Sequence, residues 1–183
     1  MMGLSPDHEI GFSVLVAGQS STAATWAIGD LILNIIIPGL DGVAKEEAEA
    51  RFAGRHTSGN DSLTVSVDSG PGLKLSEWYN NGKNMLESLS ILRSGQVVKD
   101  IDVRLYPTGL VTEHQISFRS VISGLPSPIG PPNGPLTSAC STWVLVGSTV
   151  YGSVALDEFG FGFEDGKASV SPRVLRTVLR QAN

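Results

Sequence analysis

Only one cysteine, Cys140, occurs in the 183 residues. It cannot close an intrachain disulfide, and it has no second thiol with which to share a zinc ion, so its expected place is that of a small buried apolar residue. The three histidines, His8, His56 and His114, are scattered without ligand spacing, and no acidic loop resembles a calcium site, so no metal is expected. Neither a G-x-G-x-x-G run nor a P-loop is present, which leaves no nucleotide cofactor to expect. Positive charge is also scarce. Thirteen basic against eighteen acidic residues give a net charge of −5 with no basic run, which argues against a surface that tracks nucleic-acid phosphates. The start, MMGLSPDHEIG, lacks a basic region leading into an apolar one, so no secretory signal is expected. The most apolar stretch, LILNIIIPGL at 31–40, reads as too short for a bilayer, with Asp30 before it and Pro38 inside it. A soluble, cytoplasmic protein without a membrane span is the expectation.

Glycine and proline, by contrast, are plentiful. Twenty-one Gly and ten Pro beside 41% hydrophobic residues predict many short elements joined by tight turns, the profile of a mainly β protein. The run GFSVLVAG at 11–18 alternates as a strand, yet nothing precedes it for a strand to pair with. STAATWAIGDLILNIII predicts a helix over 21–37 that Pro38 and Gly39 interrupt, followed by a second, charged helix over 40–52. From residue 52 the period becomes two. Leu63, Val65 and Val67 alternate with polar residues, DSGPG at 68–72 marks a turn before Leu73, Leu75, Glu77 and Tyr79, and NNG at 80–82 marks a hairpin. A short helix is predicted over 84–93, then a strand through Ile101, Val103 and Leu105 that PTG turns at 107–109. The next strand carries His114, Ile116, Phe118, Ser120 and Ile122 on one face, ahead of a loop rich in Pro and Gly at 124–135. Three further strands are expected near 141–147, 151–163 and 167–180, the last two joined by EDG. About eight strands after residue 51 suffice to close a small antiparallel barrel.

The segments GFSVLVAG, IIIPGLDGVAKEEAEARFAGRH, GPGLKLSEWYNNG, DVRLYPTGL, YGSVALDEFGF and SPRVLRTVLR together resemble the C-terminal part of fungal beta-lactamase-like serine hydrolases. In that family a barrel-like domain of lipocalin type follows the catalytic domain. The resemblance implies that residues 11–18 match the last strand of the hydrolase sheet and that the helices after it match the interdomain segment. It gives two regions, a strand-plus-helix segment at 1–50, packed on the barrel or on a dimer mate, and a barrel at 51–183. The catalytic motifs themselves are missing. None of Lys45, Lys74, Lys83, Lys99 or Lys167 has a serine three residues before it, YNN at 79–81 falls in a hairpin turn, and HTSG at 56–59 is no K-T-G strand. Serine beta-lactamase chemistry is not expected.

A barrel of this size can hold one small apolar molecule, and alternation nominates its lining. His114, carried inward with Ile116 and Phe118, is the candidate acid or base, and Glu158, on the face of Val154 and Leu156, is the candidate inward carboxylate, with Arg104 or Arg119 as a partner. Trp78, Tyr79, Tyr106, Arg104, Phe118, Trp143 and Tyr151 are the candidate substrate-binding residues. Phe159, Phe161 and Phe163 fall on one side of their strand with glycines opposite. Two functions fit. One is a cofactor-free cyclase or isomerase of fungal secondary metabolism that folds an apolar substrate by confinement. The other is a non-catalytic accessory or ligand-carrier domain, with a homodimer as a way to cover the apolar N-terminal helix. An enclosed chamber with His114 or Glu158 aimed into it would favour the first, and a barrel filled by side chains the second.

Overall fold

A computed structural model describes residues 1–5, 9–99, 101–125, 141–164 and 167–182. The loop rich in Pro and Gly, Cys140, His8 and the centre of the EDG turn lie outside the described residues. The chain forms two compact units, Met1–Glu47 and Ala48–Asn183.

In the first unit the opening strand does find a partner. Strand β1 (Met2–Ser5) pairs antiparallel with β2 (Ile10–Ser13) in the register Met2↔Ser13 to Ser5↔Ile10, so the strand expected over 11–18 starts earlier and stops at Ser13. The two expected helices are one, α1 (Ser21–Phe52), with Pro38 inside it. Proline removes one backbone donor, and here the residues on both sides keep helical geometry. As one helix of 32 residues, with an 18-residue window of mean hydropathy 1.6, α1 is long and apolar enough to cross a membrane, which overturns the argument from the shorter run at 31–40. Length and composition alone carry that statement.

The second unit takes in the C-terminal end of α1 and the remaining strands. These are β3 (Gly54–Ser58), β4 (Asp61–Ser66), β5 (Leu73–Asn80), β6 (Lys83–Asn84), β7 (Asp102–Val111) and β8 (Gln115–Ser123), then β9 (Val150–Tyr151), β10 (Val154–Ala155), β11 (Glu158–Glu164), β12 (Lys167–Pro172) and β13 (Leu179–Gln181). Helix α2 (Met85–Ser94) follows β6, and the short α3 (Ser141–Val144) occupies the place expected for a strand at 141–147. Strands β3, β4, β5, β7, β8, β11, β12 and β13 pair antiparallel in that sequence, and β13 returns to β3. The result is a closed eight-stranded up-and-down barrel of mainly β class, with β6 as an added strand beside β5. Closure leaves the eight barrel strands without a free edge.

Local signals explain the corners. The Asn81–Gly82 pair turns β5 into β6 with both residues at positive φ (48° and 76°), the geometry of a type I′ hairpin turn. Asn84 caps α2 by accepting from the Leu86 and Glu87 backbone N–H groups, and Gly95 ends that helix in the left-handed region. Between Thr64 and Val65 the β4–β5 register shifts, so that Thr64 faces Glu77 while Val65 faces Leu75. This bulge reverses the alternation of β5. Leu73 and Leu75 point inward before it, and Trp78, rather than Tyr79, points inward after it.

Candidate functional site

The barrel interior is occupied by its own side chains. Leu63, Trp78, Leu105, Phe159, Phe161, Val170 and Leu179 are all buried, and their rings meet edge to face. Trp78 and Phe159 lie 5.1 Å apart between centroids and Phe118 and Phe161 5.0 Å, while Phe52 from the end of α1 touches Phe118, Phe161 and Phe163. Of the candidate substrate-binding residues, Trp78 and Phe118 stand inside this packing as core. Three polar groups share it without a hydrogen-bond partner: both ring nitrogens of His56, the Trp78 Nε1–H and the Ser120 hydroxyl.

The two catalytic candidates lie elsewhere. Strand β7 runs through the PTG at 107–109 and continues to Val111, so the chain reverses at 112–114 and His114 sits in that reversal. Its side chain is 79% exposed beside the equally open Glu113, at 3.8 Å, which corrects its expected inward direction. Glu158 is also off the inner face. Phe159 and Phe161 take the inward positions of β11, and alternation therefore sends Glu158 outward, where it receives a hydrogen bond from Arg173 at 2.5 Å instead of pairing with Arg104 or Arg119.

Arg104 and Tyr106 alternate with the inward Val103 and Leu105 on β7 and so face the outside of the barrel. There the Arg104 guanidinium grips both oxygens of Asp68 (2.6 and 2.9 Å), donates through Nε to Asp102 (2.8 Å) and reaches the Pro71 carbonyl (3.4 Å). The hydrogen bond from Arg104, with a second from the Gly70 N–H, holds the Asp68 carboxyl well below the usual carboxylate range. A side chain at Gly70 would run into that guanidinium, which is why the loop has glycine there. The Tyr106 ring meets that of Trp143 of α3 at 4.8 Å with the planes tilted by 53°, and burial pushes its phenol upward. Tyr151 is exposed and Tyr79 lies at the exposed margin on the outer side of β5. The candidate residues are thus divided between core, outer surface and an ion-pair network, and among them Tyr106 and Trp143 are brought into ring contact.

Sequence reasoning missed Asp157. Its buried carboxylate accepts from Arg119 (3.0 Å) and the Gly147 N–H (2.6 Å), and its carbonyl accepts from the Ser120 N–H (2.8 Å), which ties residues 145–157 to β8. Arg93 of α2 reaches the same stretch, donating to the Ser148 hydroxyl and the Leu145 carbonyl. The signal available was the strand parity of Arg119, opposite in face to Phe118. Among the described residues no group of three or more His, Cys, Asp and Glu side chains could hold a metal ion.

Comparison with known proteins agrees with the family resemblance. A "Beta-lactamase-like protein" of Arthroderma benhamiae is 24% identical over 188 residues, covering 84% of this chain. The match takes in 30% of that relative, so the chain spans about a third of its length. No solved structure matches. Residues 44–183 match the family described as "Beta-lactamase-like-like, C-terminal domain", the whole barrel unit and well over half of the chain. The chain belongs to the beta-lactamase-like C-terminal domain family.

Proposed function

We propose that this chain is a non-catalytic accessory barrel that lends a packed scaffold to a beta-lactamase-like hydrolase domain and meets it through the apolar side of α1. The observation that carries the reading is the position of the acid–base candidates. A cyclase or isomerase working by confinement needs a chamber with a polar group aimed into it, and His114 and Glu158 face outward while aromatic rings fill the barrel axis. An accessory domain needs neither. The first unit supplies the complementary feature, because Leu31 and Ile35, four residues apart on one face of α1, are more than half exposed, and soluble proteins rarely leave such a face uncovered. That the match covers 30% of the relative's length leaves room for further domains beside the barrel in that protein.

The test combines sedimentation velocity, a hydrophobic dye and a chromogenic beta-lactam or ester. The chain alone is expected to bind dye and self-associate without hydrolysing substrate, and Leu31→Glu with Ile35→Glu is expected to give a dye-silent monomer with an intact barrel. The portion of the A. benhamiae relative outside the matched stretch, produced separately, is expected to co-sediment with the unaltered chain only. Turnover by the purified chain, or a dye-silent monomer from the unaltered sequence, would overturn the reading.

A further inference from the structure

The barrel closes through one of its thinnest ladders. Strand β13 has three residues, and it meets β12 over two residue pairs and β3 over two, Arg180↔Thr57 and Gln181↔His56. Two more bonds hold this seam, from the Ala182 N–H to the Arg55 carbonyl (2.7 Å) and from Gln181 Nε2 to the Ala53 carbonyl (3.0 Å). The inward residue of β3 at the seam is His56. It has no exposed surface, and neither Nδ1 nor Nε2 has a hydrogen-bond partner of good geometry, the Gly54 backbone being the polar group that acts on the ring.

The surroundings of the ring offer a proton no counter-charge. Leu63 stands opposite on β4, Phe161 of β11 meets the ring edge to face at 6.3 Å, and Gln181 stands opposite on β13. On β4 the one acid of the inward face is Asp61, whose carboxylate is taken up by the Asn81 N–H (2.7 Å) and Asn80 Nδ2 (3.3 Å). Arg55 and Arg180 lie on the exposed side of their strands, Glu158 of β11 is held by Arg173, and Glu164 ends that strand in solvent. At the end of α1, Arg51 lies over the rings of Phe52 and Phe163.

We propose that His56 is an acid-sensitive latch on this barrel, the neutral ring keeping the β3–β13 seam shut and the protonated ring releasing the C-terminal strand. Burial pushes the imidazole below its ordinary 6.5, and the Gly54 backbone pulls weakly the other way. The sign follows from linkage. An open seam exposes a ring that binds a proton near 6.5, the closed one does not, so the closed form is fully favoured above 6.5 and loses ground as pH falls below it, until the closed ring itself takes a proton.

Amide hydrogen exchange at Val170, Leu179 and Ala182, corrected for intrinsic rates, reads the seam directly. Between about pH 6.5 and the lower limit of that window, protection is expected to fall up to about tenfold per pH unit, and in His56→Phe it is expected to be independent of pH. Unchanged protection in the natural sequence, or the same fall in the phenylalanine variant, would overturn the latch. Should His56→Phe not fold, the ring's own titration by NMR in the unaltered chain decides. It is expected to stay neutral until the seam amides lose protection, and an ordinary titration with those amides still protected would overturn the proposal.

Discussion

Asp68 illustrates what single residues contribute here, because a third of its side chain is open to water and yet its charge is fixed by geometry. Arg104 holds it in a two-pronged contact, so its carboxyl ionises well below the ordinary 3.8. A depressed carboxylate contributes stability that is complete above its unfolded value and is lost as pH falls below it. Asp68→Asn is therefore expected to lower the melting temperature near neutrality and to flatten its decline below 3.8, as thermal unfolding across an acid series would show. In the core the decisive residues are the rings. Phe161 touches Phe52, Phe118 and His56 and has no exposed surface, so Phe161→Ala is expected to cost about 3–5 kcal/mol in urea unfolding. Charge alone did not make these roles readable. Arg104 was legible as a polar residue opposite Val103 and Leu105, but its partner Asp68, thirty-six positions away, depends on how the DSGPG turn folds back.

At the scale of elements, the parts with local causes were the most legible. Asn81–Gly82 and the helix cap at Asn84 act within four residues, and both were written into the sequence as a hairpin signal and a short helical stretch. Asn84→Ala is expected to destabilise the barrel unit by about 1 kcal/mol, measured by chemical denaturation, because it strips the acceptor from the Leu86 and Glu87 N–H groups. Elements set by distant pairing were less legible. The β4–β5 bulge exchanged Trp78 for Tyr79 on the inner face, and the continuation of β7 past Pro107 moved His114 from a strand into a reversal. The first error is one of parity, because one extra residue in a strand sends every later side chain to the other face. The second is one of strand boundary, since Phe118 and Ile122 keep their expected inward face. Pro38 is the reverse case. A residue that usually ends helices sits within thirty-two helical positions, where the hydrogen bonds of its neighbours continue the turn.

For the whole molecule, the eight-stranded barrel and the family were both legible because they rest on many weak signals in agreement, from strand alternation to turn residues at regular intervals. The candidate site was not, since it depended on which way a few side chains point. The two-unit organisation makes a separate prediction. A fragment beginning at Ala48 contains the closed barrel and the aromatic core with Phe52, and it is expected to fold alone with one cooperative transition in urea. Absence of that transition would mean that the first unit is required for the barrel to form.

The central claim is that the barrel is scaffold rather than chamber, and native mass spectrometry of the purified chain tests it most directly when paired with product analysis. The chain would be held with a chromogenic cephalosporin, a p-nitrophenyl ester and dodecanoate as an apolar probe. The account predicts the chain and its oligomers at their ligand-free masses after desalting and no product beyond the buffer control. A one-to-one complex that survives desalting and is lost when Phe118 is replaced by tryptophan, or any product formed by the chain alone, would contradict it.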